Sequence, residues 1–185
     1  MVSWSSIIAG SSFLMLAGCA ARAGLPQYST VPDFTLTDQT GAAFHSSEQL
    51  KNTVWIADFI YTTCPGPCPR MSSQMHQVEN ALAGTGVKLV SFTVDPERDT
   101  PAVLAEYAQH FGAKPGIWFF LTGTADALHH LSRDAFMLGD VDGTLEHSTG
   151  FVLIDRASHV RGYYQSSEED AIPRLIADAK ALVRN

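Results

Sequence analysis

The chain has 185 residues, enough for one domain with a sizeable core. Twelve Lys and Arg against 19 Asp and Glu give a formal charge of −7, which argues against an electrostatic grip on nucleic-acid phosphates. Any hold on a membrane must therefore come from something other than basic charge.

The first feature in chain order is an apolar run over residues 7–16 that ends in Leu16-Ala17-Gly18-Cys19. A spanning helix needs about 20 apolar residues, so the run is too short to cross a bilayer, and the small residues before Cys19 suit signal cleavage. The segment resembles a bacterial lipobox, although residues 1–18 carry no Lys or Arg. The expectation is a signal peptide over 1–18, a lipidated Cys19 opening the mature chain, a polar tether over 19–30 and a globular domain over 31–185. Of three cysteines, one becomes the anchor, leaving Cys64 and Cys68 as a pair. An exported compartment is oxidising, so that pair can close as a disulfide unless reduced or metallated.

Residues 34–37 and 42–45, joined by Asp38-Gln39-Thr40-Gly41, predict a hairpin. Ser46 with Gln49 three positions later predicts a capping box on a short helix. Residues 54–61, 87–94 and 150–155 are nearly continuous apolar runs, the pattern of strands buried on both faces with helices covering the sheet. Helices are expected over 70–83, over 101–111 with Thr100 as N-cap and Pro101 at its first position, and over 125–133. Further strands are expected at 117–121 and 160–164. A last helix is expected from about 168 to 183, capped by Ser167. The order is a β-hairpin, then βαβαβ, then ββα. It predicts an α/β, thioredoxin-like fold with an N-terminal β-hairpin extension and added segments.

The most informative stretch is Asp58-Phe-Ile-Tyr-Thr-Thr-Cys64-Pro-Gly-Pro-Cys68-Pro-Arg-Met71. It places two thiols where a buried strand runs through a Pro/Gly turn into a helix, and helix N-termini favour thiolates. Three residues separate the cysteines, so a Cys68 in the first turn lies close enough to Cys64 for both to chelate one soft metal ion. A third ligand should come from elsewhere, and His147 is the candidate. It lies in a Gly-rich loop just before the strand at 150–155, where thiol oxidoreductases of this fold usually carry a cis-proline. No proline occurs between Pro115 and Pro173.

With Asp58 to Met71, SFTVDPERDTP at 91–101 and EHSTGFVLID at 146–155 in this order, the chain resembles the Sco/SenC copper metallochaperones over residues 32–181. That family helps to assemble the CuA centre of cytochrome c oxidase. The resemblance implies copper ligands at Cys64, Cys68 and His147. Its implied partners are the CuA-bearing oxidase subunit or another copper chaperone. Thiolates select Cu(I) and an imidazole also admits Cu(II), while three ligands leave the metal open to an acceptor. The implied location is the bacterial cell envelope, facing the periplasm and held to the membrane by lipid.

Asp95 and Arg98 are candidates for supporting the site, with a purely structural turn as the alternative. Met71 and Met75 read as helix-face core rather than ligands. His45, His76, His110, His129, His130 and His159 read as ordinary histidines. Asp140, Asp142 and Glu146 read as a solvated acidic turn that can also steer a cation. The runner-up function is a dedicated thiol-disulfide oxidoreductase acting on copper-site cysteines. A peroxidase using Thr63 and Arg70 is a distant third. The leading reading is a carrier, not an enzyme that turns over.

Overall fold

The computed structural model describes residues 24–138 and 149–184. Cys19, the signal segment, the acidic turn and His147 lie outside the described residues.

Seven strands form one sheet in the order β2-β1-β5-β4-β3-β6-β7. They are β1 (Thr35–Asp38), β2 (Ala43–His45), β3 (Trp55–Ile60), β4 (Lys88–Thr93), β5 (Trp118–Thr122), β6 (Gly150–Ile154) and β7 (Val160–Gln165). The central β3, β4 and β5 run parallel, β6 pairs antiparallel to β3, and the β1-β2 hairpin extends the sheet antiparallel beyond β5. Every residue of β3, β5 and β6 is buried. This is the two-sided burial that the apolar runs predict, and the fold is thioredoxin-like with the expected hairpin.

Side chains alternate between two cores. Ile56 and Ile60 face a layer built from α2 (Cys68–Ala81), α3 (Pro101–His110) and α5 (Ala171–Arg184). Trp55, Ala57 and Phe59 face an aromatic layer with Phe44, Phe92 and Phe136. Phe136 follows α4 (Ala125–His130) and a π-helical turn, Leu131–Ala135, that continues it past the expected end.

Three local expectations fail for identifiable reasons. Ser46 begins α1 (Ser46–Gln49) instead of capping it, because its hydroxyl is occupied by the Phe34 N–H at 2.8 Å. The last helix starts at Ala171, not near 168, so Ser167 caps nothing. With that start Pro173 falls in the first turn, where its missing N–H is harmless; a start at 168 would put it where a donor is needed. The end of the expected tether is docked. Tyr28 N–H bonds Val160 O and Ser29 O accepts from Val160 N–H, while Arg161 donates to Leu25 O and Pro26 O. Backbone bonds along a strand edge leave no side-chain pattern to read.

Candidate metal centre

The cysteine turn is built by its prolines. β3 ends at Ile60, Cys64 N–H bonds back to Tyr61 O, and Pro67 at φ −74° leads into α2, whose first residue is Cys68. Pro69 sits in the first turn, where no intrahelical donor is required. Cys68 is therefore inside the helix, which begins two residues before the expected start at Arg70, and Cys64 lies just outside it. Neither cysteine is in a disulfide, and both are buried, Cys64 at 7% exposure and Cys68 at 0%.

The two sulfurs are electrostatically unlike. Burial pushes the Cys64 thiol up, but hydrogen bonds from the Cys68 side chain and backbone, the Gly66 N–H and the Tyr61 phenol outweigh it. The net effect is a thiol below the ordinary cysteine range. Burial pushes Cys68 strongly upward, and the hydrogen bond to Cys64 and the Cys64 and Asp58 charges add to it. One sulfur is poised as a thiolate and the other held as a thiol.

Of the expected supporting residues, Asp95 and Arg98 pair with each other at 2.9 Å, and the Arg98 side chain is 69% exposed. The residue that ties their loop to the cysteine turn is Asp99, which sequence reasoning passed over. It is fully buried, and its Oδ1 accepts from Thr62 Oγ1 at 2.5 Å. Its Oδ2 accepts from Thr62 N at 3.1 Å and Thr93 Oγ1 at 2.5 Å. Thr62 is two residues before Cys64, so Asp99 fixes the exit of β3. Asp99→Ala would leave those buried donors unpaired, and we expect it to cost about 2–4 kcal/mol. Urea denaturation checks this; Asp99→Asn, which keeps one acceptor, should lose less.

Met71 and Met75 are both fully buried in the helix-side core, in line with packing rather than ligation. His130 pairs with Asp134, His159 lies by Asp155, and His76 bonds Asn80. Of the two residues a peroxidase reading would use, Arg70 donates to Ser166 and Thr63 is exposed. Among the described residues no group of three His, Cys, Asp or Glu side chains could hold a metal ion. β6, the strand that follows His147, starts at Gly150, where a Cβ would lie 2.6 Å from Tyr164 O, so only glycine allows the strand to enter at this spacing.

The SCO1/SenC family model matches residues 22–184. The chain belongs to the SCO1/SenC family. Among solved structures, a SCO1/SenC family lipoprotein from Bacillus anthracis superposes with a TM-score of 0.76 at 31% identity, covering 83% of this chain and 95% of that one. BsSco, described as a member of the Sco family of cytochrome c oxidase assembly proteins and as carrying a disulfide switch, gives 0.76 at 28% identity, with 88% and 98% covered. Bradyrhizobium japonicum ScoI, solved with copper bound, gives 0.68 at 26% identity, with 83% and 99% covered. Membership in SCO1/SenC gives the unlike thiol pair a chemical setting that the geometry alone leaves general.

Proposed function

We propose that this chain is a copper metallochaperone that holds one copper ion through Cys64, Cys68 and His147 and delivers it to, or prepares, the CuA site of cytochrome c oxidase. The observation that carries the reading is the buried, non-disulfide cysteine pair at the start of α2, where hydrogen bonds draw the Cys64 thiol below the ordinary range and burial pushes Cys68 above it. Such a pair takes Cu(I) on two soft ligands, and an imidazole from the segment before β6 completes a site that also accepts Cu(II). The copper-bound ScoI and the oxidase-assembly role given to BsSco support the cargo and the acceptor. The acceptor is the CuA-bearing subunit or a second copper chaperone.

The site sits in the envelope, on the outer face of a membrane, with a lipid on Cys19 as the anchor. The Leu16-Ala17-Gly18-Cys19 motif and the lipoprotein relative support this. Among the described residues no helix is long and apolar enough to cross a membrane. Thiol-disulfide exchange on an acceptor's copper-site cysteines is the second reading, favoured by the same asymmetry, since a thiolate beside a thiol can attack a disulfide. In cells lacking this chain, CuA-oxidase activity should fall and return with the wild-type chain or with excess copper. Full oxidase activity in the deletion strain at limiting copper would remove the assembly role.

A further inference from the structure

The end of the sheet that carries the thiol pair is also the end at which β6 begins. β6 runs antiparallel to β3, with Trp55 opposite Ile154 and Ala57 opposite Val152, so the start of β6 lies beside the exit of β3. On its other side β6 pairs with β7, where Gly150 faces Gln165. Beyond that pair the Ser166 N–H donates one more backbone bond, to Thr149 O at 2.8 Å. His147 is two residues before Thr149 in the sequence, and two residues of chain span at most about 7 Å. The Ser166–Thr149 bond therefore sets the point from which a ligand at 147 can reach.

Ser166 is buried in the turn between β7 and α5. Its remaining polar groups are taken by α2, the helix that opens on Cys68. Arg70 Nη2 donates to Ser166 Oγ at 3.2 Å, and Gln74 Nε2 donates to Ser166 O at 3.1 Å. Residues four apart share a helix face, so the two side chains reach this turn together. Every polar group of Ser166 is thus spent on joining α2 to the residue that leads into β6. Gln74 is the costly member of the set. Its Oε1 is buried and has no hydrogen-bond partner among the described residues, and an orphaned buried acceptor is destabilising. Leucine, a good helix former, would occupy the position without that penalty. Packing alone gives no reason for an amide here, whereas the bond to Ser166 does.

We propose that Gln74, assisted by Arg70, is a positioning residue for the copper site: through Ser166 it fixes Thr149, the root of the His147 segment, to the helix that presents Cys68. The inference rests on the ligand set proposed above. With its root held, a ligand at 147 loses less freedom on meeting the metal, and that preorganisation is expressed as affinity. Cu(II), which needs the imidazole, depends on the clamp, while Cu(I) on two thiolates depends on it much less.

The test uses the full chain carrying Cys19→Ala, with Gln74→Leu as the variant. In the metal-free protein, amide hydrogen exchange at Ser166 should quicken about tenfold while amides of the central β3 keep their parental rates. In competition titrations Cu(II) affinity should fall about tenfold and Cu(I) affinity stay within about threefold of the parent. Ser166→Ala, which removes only the bond to Arg70, should move both readouts the same way by about threefold, and it carries the test should Gln74→Leu fail to fold. Unchanged exchange at Ser166 would overturn the proposal, as would copper affinities that both hold or that fall together. A merely structural role for Gln74 would speed exchange throughout the fold and keep the parental ratio of Cu(II) to Cu(I) affinity. His147→Ala separates this inference from the reading beneath it. In that background Gln74→Leu should lower Cu(II) affinity no further. Loss of Cu(II) in His147→Ala but not in Gln74→Leu would overturn the positioning role alone. Parental Cu(II) affinity in His147→Ala would remove the ligand set and the positioning role with it.

Discussion

Replacing both cysteines, Cys64→Ser with Cys68→Ser, should abolish copper binding, taking the protein from one equivalent to none in either oxidation state. Hydroxyls are hard, weakly acidic ligands, whereas the affinity for Cu(I) comes from thiolate donors. The fold should survive the change. Cys68 Sγ already accepts a hydrogen bond from the Tyr61 backbone, which a serine oxygen can also take. The cost is then about 1 kcal/mol per site. Metal analysis after gel filtration, with circular dichroism as the control for folding, reads the result. The single variants should differ: Cys64→Ser removes the sulfur poised as a thiolate, and Cys68→Ser the one that must first lose its proton. Copper uptake by Cys68→Ser should accordingly depend less on pH.

The second large effect is expected at His147. His147→Ala should weaken Cu(II) binding by more than roughly hundredfold, a loss above about 2.7 kcal/mol, while two thiolates still hold Cu(I) in part. Oxidase assembly in cells should be lost, yet Cys64 and Cys68 should still cycle to a disulfide, because exchange needs only an attacking thiolate and a leaving thiol. Competition titrations for the two copper states, run beside a disulfide-formation assay, check both halves. An alanine variant that restores oxidase fully with copper binding lost would replace the carrier by the thiol reductase.

Much of the architecture is legible because burial on two faces leaves a one-dimensional trace. Residues 54–61 and 87–94 are apolar at both odd and even positions, and they become the central β3 and β4. Thr100-Pro101 marks a helix start, and Thr100 indeed accepts from Val103 N at 3.4 Å. Composition alone places the start of α5 at Ser167, a good cap residue, whereas Pro173 sets it at Ala171.

The thiol pair was equally legible, since two cysteines on a strand-turn-helix boundary need no distant partner to be recognised. Asp99 was not, because its meaning lies in Thr62, 37 residues earlier, and Thr93, 6 residues earlier. Asp95 and Arg98 stand out in the sequence instead because the 95–101 signature places them in a turn at the C-terminal end of a central strand, where α/β folds host sites. Asp58 did leave a trace, as the one charge inside the apolar run 54–61. What the run does not reveal is that Ser91, itself held by Trp118, donates to one carboxyl oxygen, while the other has no hydrogen-bond partner among the described residues.

The most direct test of the copper assignment is the metal content and absorption spectrum of the reduced chain carrying Cys19→Ala, loaded with copper and freed of excess. The account predicts one copper per chain and, for the Cu(II) form, a strong sulfur-to-copper charge-transfer band that disappears in the Cys64→Ser, Cys68→Ser double variant. Stoichiometric copper that persists in that double variant, or a loaded protein without the band, would contradict it.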